Sequence, residues 1–251
     1  MLNIVVPMAG RGSRFAKEGY IDPKPLIALG TKRMIEVVIN NLTPEQPHRF
    51  IFICQKEHIT HYNLAEKLQI WAPGSVIVGI EGITEGAACT VLCAEEYINS
   101  SDPLMIANSD QWIDIDINDY LAYIDNEKLD GLIMTMKAND PKWSFAELNN
   151  DGYVTRVVEK EVVSDEATVG IYNFKHGADF CRNAHKMISS NERTNGEFYV
   201  APVYTWMYRD EKAVIGVYNI GEEANGMYGL GIPSDLNLFL SLDVSKKALD
   251  F

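Results

Sequence analysis

The sequence predicts an α/β protein with a mixed, mostly parallel sheet flanked by helices, in one domain over residues 1–251. Three observations carry this. Short apolar runs alternate with helical patterns as far as Asp125, the signature of a parallel sheet covered on both faces. A hairpin signal, Asn149-Asn150-Asp151-Gly152 between two strand-like runs, brings antiparallel pairing into the second half. No Pro/Gly/Ser-rich linker divides the chain, and no repeat or low-complexity tract interrupts it.

Taken in order, Leu2–Pro7 reads as a short apolar strand followed by a Gly-rich turn. Met34–Leu42 reads as a helix, with Met34, Val37, Val38 and Asn41 on one side. Arg49–Cys54 and Ser75–Ile80 are strands, with a polar helix over Glu57–Leu68 between them. Gly86–Ile98 is a helix rich in small residues, Pro103–Asn108 a strand, Ile117–Asp125 a helix and Leu132–Lys137 a strand. Ser144–Leu148 and Tyr153–Glu159 form the hairpin, and Val169–Phe174 is a strand. Ala178–Ser189 and Phe198–Met207 are helical, Ala213–Tyr218 is a strand, and a last helix spans Asp235–Leu242 with Ser234 as its N-cap.

Composition narrows the function. The 251 residues are 47% hydrophobic and 23% charged, ordinary for a globular chain, and no apolar run reaches the ~18 residues of a membrane span. The start reads as a strand, not a signal peptide. Four cysteines include no Cys-x-x-Cys pair and suit reduced thiols in a cytoplasmic protein. A net charge of −13 repels nucleic acid and anionic lipid. Against that background, residues 11–33 carry six bases and two acids, a local +4 that leaves −17 on the remainder. Such an island is either a solvated loop or a seat for a small polyanion.

Two motifs lie in or beside this island. Pro7-Met8-Ala9-Gly10-Arg11-Gly12-Ser13-Arg14 follows the first strand, where open α/β sheets bind ligands. Its glycines allow a tight turn whose N–H groups can face phosphate. It is neither the dinucleotide fingerprint, since Phe15 stands at the third glycine position, nor a Walker A loop. Asp22-Pro23-Lys24-Pro25-Leu26-Ile27 holds a lysine between two prolines, which stiffen the backbone and preorganise an ammonium.

Together, Gly-x-Gly-Ser-Arg and Pro-Lys-Pro-Leu-Ile resemble the signature of the sugar-1-phosphate nucleotidyltransferases, the pyrophosphorylases that join an NTP to a sugar phosphate. Further segments resemble the family in order: Glu81-Gly-Ile-Thr-Glu-Gly86-Ala; Leu104-Met-Ile-Ala-Asn108-Ser-Asp110; Val158-Glu159-Lys160; Val169-Gly170-Ile171-Tyr172; and Asn195-Gly196-Glu197-Phe198-Tyr199. The resemblance covers essentially the whole chain. It implies a Rossmann-like fold of the nucleotide-diphospho-sugar transferase type, akin to the GT-A glycosyltransferases.

The resemblance also implies roles. Ala9, Gly10, Gly12 and Ser13 wrap the triphosphate, with Arg14 on the phosphates and Lys24 neutralising the α-phosphate under attack. Asn108 and Gly86 border the nucleotide, and Glu81 sits at the base-reading position, where the family often has Gln. A carboxylate only accepts hydrogen bonds, which favours CTP, with UTP, dTTP and GTP as the other nucleotides. Asp110 binds Mg²⁺, a hard cation. Asp235 is the candidate second ligand, although glycine stands at 229 and 231 where an aspartate is often found; its alternative is an ordinary first-turn helix acid. Glu159, Lys160, Gly170 and Glu197 border the acceptor, a phosphorylated small molecule, with Lys160 on its phosphate and Glu159 on its hydroxyls. The expectation is a Mg²⁺-dependent transfer onto a sugar 1-phosphate, feeding surface polysaccharide synthesis. Two alternatives stay open: a cytidylyltransferase for a non-sugar phosphate such as phosphocholine, and a glycosyltransferase of the same broad fold. Against the latter, Asn108-Ser109-Asp110 stands where Asp-x-Asp is usual.

Overall fold

The computed structural model describes all 251 residues. The chain runs β1 (Leu2–Pro7), α1 (Ser13–Lys17), β2 (Ala28–Leu29), β3 (Lys32–Arg33), α2 (Met34–Leu42), β4 (His48–Gln55), α3 (Lys56–His61), α4 (Leu64–Trp71), β5 (Val76–Ile80), α5 (Ala87–Leu92) and α6 (Glu95–Ile98). It continues β6 (Leu104–Ala107), β7 (Gln111–Ile113), α7 (Ile117–Asn126), β8 (Gly131–Lys137), β9 (Ser144–Leu148), β10 (Val154–Glu159), β11 (Glu166–Phe174) and α8 (Gly177–Ser189). Last come α9 (Val203–Glu211), β12 (Ile215–Glu223), β13 (Gly226–Gly229), α10 (Pro233–Ser241) and α11 (Val244–Leu249).

The main sheet has the order β5-β4-β1-β6-β11-β8-β12-β13-β7, with the β9–β10 hairpin hung on β11. β1 pairs in parallel with β4 on one side and β6 on the other. The chain winds from β1 to β4 and β5, then returns to lay β6 on the far side of β1. That reversal opens a crevice at the carboxyl ends of β1 and β6, where such sheets bind ligands. β11 then runs antiparallel to both β6 and β8, which makes the sheet mixed as expected.

Alternation along β1 divides the core into two layers. Leu2, Ile4 and Val6 pack with Ile35, Val38 and Leu42 of α2 and Leu64 and Leu68 of α4. Val5 faces the other way, toward Ala88 and Val91 of α5 and Phe180 of α8. A third cluster gathers Phe15, Trp112, Tyr228 and Phe239 under the carboxyl-terminal helices. No helix is long and apolar enough to cross a membrane.

Three expected helices need correction. The one over Glu57–Leu68 is two, broken at Asn63, whose φ of 49° is a left-handed conformation that asparagine tolerates. Gly86–Ile98 also divides, around Cys93 and Ala94. The helix expected from Phe198 begins at Val203, after Pro202; the residues before it stay irregular and form a cavity wall. Ser234 does not cap α10, because Pro233 takes the first helical position and Ile232 the cap. The short elements α1, β2, β3, β7, β13 and α11 were not predicted at all.

Candidate active site

The phosphate-loop motif leaves β1 with Met8 N–H donating to the Ile53 carbonyl at 2.9 Å. Gly12 then takes a φ of 58° and opens α1. A Cβ there would lie 3.1 Å from Lys24 Cβ, so the glycine loop and the Pro-Lys-Pro turn touch directly. Gly10 differs: its φ is ordinary and nothing lies within 4 Å of where its Cβ would be.

Lys24 opens a single tight turn, closed by Leu26 N–H to the Pro23 carbonyl at 2.8 Å and Ile27 N–H to the Lys24 carbonyl at 3.2 Å. Its ammonium pairs with Asp110 Oδ2 across the crevice, both side chains being about a quarter exposed or less. Thus the end of β6 meets the turn after β1, as the topology requires. Gly10, Gly12, Lys24, Asn108 and Asp110 line one cleft of about 260 Å³. It adjoins a larger cavity of about 670 Å³ that shares Pro7, Asn108 and Asp110 and adds Arg14, Glu159, Lys160, Gly170 and Asp235. Of the basic island, Lys32 and Arg33 are committed elsewhere: Lys32 to Glu36 and the Phe251 carbonyl, Arg33 to Asp22 and the Leu26 carbonyl.

Asp110 and Asp235 are two carboxylates on one cavity. A Cβ on Gly231 would lie 2.7 Å from Asp110 Oδ2 and 3.5 Å from Lys24 Nζ, and one on Gly229 3.4 Å from Asp235 Oδ2. A side chain at 231 would therefore collide with Asp110, whereas one at 229 would only touch Asp235. Mg²⁺ keeps several waters and takes one or two protein carboxylates plus substrate phosphates, so this donor set fits it. Asp114, Asp116 and Asp119 play no part here. Asp114 pairs with Lys247, and Asp116 caps α7 by accepting from Asn118 N–H at 2.8 Å.

The larger cavity's far wall comes from the hairpin and β11. Glu159 accepts a hydrogen bond from the Ser144 hydroxyl. Lys160 has a φ of 58°, unusual for a non-glycine residue, and its N–H donates to the Trp143 carbonyl at 3.0 Å. Gly170, at φ 83°, sits where β11 slips register against β8; a Cβ there would collide with the Asn108 amide and lie 3.1 Å from Gln111 Oε1. Tyr172 shares a 3.1 Å hydrogen bond with Thr168, and burial pushes its phenol up to about 12, so it stays a neutral hydroxyl.

Five expected residues stand apart, Ala9 among them, since it too lines neither cavity. Glu81 lies outside both cavities on the exposed rim, 2.9 Å from Lys56 Nζ, whose ammonium lowers its pKa. Gly86 supports the rim from behind: its φ is 135° and a Cβ would strike the Phe198 backbone, while Ala88 N–H donates to the Phe198 carbonyl at 2.9 Å. Glu197 closes a tight turn with Asn195 and Gly196 at φ 50° and 84°; Tyr199, two residues on, reaches the cavity instead. Ser13 is exposed at the first turn of α1 and also lines neither cavity. Sequence reasoning passed over Gln55, whose amide donates at 2.7 Å to both the Ala9 and Gly82 carbonyls and so straps the phosphate loop to the Glu81 rim. Its place at the carboxyl end of a parallel strand was the available signal. Gln111, Lys142 and Trp143 in the cavity wall were also missed.

A doubly layered α/β sheet with a glycine loop, a fixed lysine and a carboxylate at its switch point defines a nucleotide-handling protein. The nucleotidyl transferase family model matches residues 4–200, and the chain belongs to that family. The rival glycosyltransferase reading is set aside on that ground. The bifunctional protein GlmU of Thermotoga maritima is 26% identical over 205 residues, 79% of this chain; the chain spans 43% of that protein's length. Among solved structures, the nucleoside-diphosphate-sugar pyrophosphorylase of Vibrio cholerae RC9 superposes with a TM-score of 0.80 at 24% identity, covering 95% of this chain and 100% of its own. The inositol-1-phosphate CTP transferase of T. maritima gives 0.70 at 13% identity, covering 98% and 94%.

Proposed function

We propose that the chain transfers a nucleotidyl group from an NTP, CTP by preference, to a sugar 1-phosphate, with Mg²⁺ and release of pyrophosphate, to feed surface polysaccharide synthesis. The observation that carries this reading is the Lys24–Asp110 pair at the junction of the two cavities, beside the glycine loop. In this reading the triphosphate lies along Gly10–Arg14 and the acceptor against Glu159, Lys160 and Gly170. An acceptor phosphate oxygen attacks the α-phosphorus as the bond to the β-phosphate oxygen breaks, and pyrophosphate leaves. A phosphate monoester is already ionised, so no general base is required. Lys24 and Arg14 neutralise charge in the transition state, which is the main task in phosphoryl-type transfer. Asp110 and Asp235 would hold Mg²⁺, which supplies charge neutralisation at the phosphates when bound.

The base preference rests on Glu81. A carboxylate accepts from the N4 amino group of cytosine, where uracil presents a carbonyl. Lys56, 2.9 Å away, supplies the donor that cytosine N3 then needs, a task otherwise left to the Gly86 backbone. The same pair in the opposite order reads uracil, so the measurement is decisive. Four NTPs are tested against a panel of phosphorylated acceptors, scored by pyrophosphate release, in the parent and in Glu81→Gln. CTP should lead in the parent and lose its lead in the variant. A parent preferring UTP or dTTP overturns the base assignment alone; no pyrophosphate from any pair overturns the function. A second reading, phosphocholine as acceptor, is favoured by Trp143, Tyr172 and Tyr199 on the acceptor wall, since aromatic faces attract quaternary ammonium.

A further inference from the structure

We infer that Gln55 is a positioning residue that couples base recognition to phosphate binding: a base seated on the Glu81 rim sets, through this one carboxamide, the N–H groups that face the triphosphate. The inference rests on the nucleotidyltransferase reading above and adds to it a route from base to phosphate. Gln55 ends β4, which lies between β1 on one side and β5 on the other. The chain leaves β1 into the glycine loop and leaves β5 into the rim, so the two segments depart on either side of Gln55. Its Nε2 carries two hydrogens and donates one to the Ala9 carbonyl and one to the Gly82 carbonyl, each at 2.7 Å. Gln55 lines neither cavity, so it acts through the segments it holds and not by touching a ligand.

Neither segment has another such tether. The glycine loop is pinned to the sheet at Met8, whose N–H reaches the Ile53 carbonyl, and next at Gly12, whose carbonyl accepts from Phe15 and Ala16 N–H. Between these points Gln55 makes the one hydrogen bond, and the N–H groups of Gly10, Arg11 and Gly12 are bound to nothing in the protein. On the rim, the backbone of residues 81–84 takes part in a single hydrogen bond, that of the Gly82 carbonyl with Gln55. Lys56, the next residue, holds the Glu81 side chain at the same place. A donor shared between two otherwise free segments passes a displacement of one to the other, because a hydrogen bond tolerates little change in length or angle. Such coupling is reciprocal: the right base tightens the grip on phosphate, and phosphate the grip on the base. A base that does not engage the rim leaves the loop unset. Its penalty falls on kcat, since the loop's N–H groups act on charge that develops in the transition state.

Reciprocity is measured with the nucleotide cut in two. Inorganic tripolyphosphate with Mg²⁺ fills the loop, and each of the four nucleosides in turn fills the rim. In the parent, saturation with the preferred nucleoside should lower the Kd for tripolyphosphate about fivefold, at the low end of typical couplings. In Gln55→Met, of the same length but without donors, the nucleoside should change that Kd by less than about twofold. In steady-state kinetics the variant's kcat with the preferred NTP should fall about tenfold, and its kcat values with the four NTPs should converge. Gln55→Glu, which cannot donate either, takes the place of the methionine variant should that one fail to fold. A nucleoside effect equal in parent and variant, or absent from a parent that binds tripolyphosphate and releases pyrophosphate from an NTP, overturns the inference while the function stands. So does a kcat that falls equally with every NTP, the mark of a brace with no part in recognition. A parent that releases no pyrophosphate with any NTP and acceptor overturns both readings together.

Discussion

On the nucleotide side of the cavity Lys24, Glu81 and Gln55 are already engaged within the protein. Lys24 holds Asp110, Lys56 holds Glu81, and Gln55 bridges two loop carbonyls. Prolines and a left-handed glycine fix the backbone that carries them. The acceptor side is built differently. There Lys160 sits in a left-handed conformation, and Gln111 and Trp143 keep buried N–H groups without partners. Groups held in place in this way suit a ligand part common to many substrates, the phosphates of an NTP. A wall with open donors waits for a particular partner, and discrimination belongs there because unpaired buried groups penalise the wrong ligand.

The largest expected effect breaks the nucleotide side. Lys24→Ala should reduce kcat by about 10²–10³, on the scale of one lost oxyanion donor at ~3–4 kcal/mol. Its pair with Asp110 is partly exposed, so the melting temperature should shift little. Steady-state kinetics beside a thermal melt separate the two effects. Near-parental turnover would remove Lys24 from the chemistry and leave the nucleotide side a merely structural brace.

The same contrast explains what was legible beforehand. The bounds of Leu2–Pro7 and Met34–Leu42 follow from local patterns: a continuous apolar run between parallel neighbours, and an apolar face at helical spacing. Pro-Lys-Pro carries its own stiffness. The acceptor wall has no such local code. Gln111 is buried only because β7 pairs with β13, far along the chain, and Gly170 is needed only because the Asn108 amide crosses it. Even Asn63, which splits one expected helix, looks like any polar helix residue until its φ is known. Fixed backbone chemistry shows in sequence, while side chains assembled by long-range pairing do not.

The acceptor side offers a sharper test at Lys160. A left-handed φ costs an L-residue about 1–2 kcal/mol, and glycine does not pay it. Lys160→Gly should therefore raise the melting temperature while raising the acceptor KM, since the ammonium is lost. A variant that is both more stable and unchanged in acceptor KM would show strain without function. Gly10→Ala is the smaller counterpart across the cavity. Its φ is ordinary and its surroundings empty, so the free protein should be unharmed or gain a few tenths of a kcal/mol. Only a phosphate lying against the loop would meet the methyl, and the NTP KM should rise severalfold with the acceptor KM unchanged.

The smallest effect is an acid one, and it reaches the acceptor side from behind. Glu211 at the end of α9 binds Arg182 at 2.7 Å and Asn183 at 3.1 Å, tying α9 to α8. α9 in turn carries Thr205, whose hydroxyl accepts from Val157 N–H at 3.0 Å and so steadies the strand that bears Glu159. The Arg182 guanidinium, with Asn183 and Lys186, lowers the Glu211 carboxyl from 4.5 to about 2. A carboxyl depressed in the folded state stabilises the protein above its unfolded pKa and ceases to do so as pH falls through the folded one. Stability from this cluster should therefore be complete above pH 4.5 and disappear between there and about pH 2. Because Arg182 is half exposed, the loss is small, ~1 kcal/mol or roughly 2–4 °C in a chain of this size. Thermal melts of the parent and Glu211→Gln across that window give the test. The two should differ near neutrality and converge at the acid end. A constant difference at every pH would mean that the carboxylate's charge contributes nothing, and the acceptor wall would then be no more sensitive to acid than the nucleotide side.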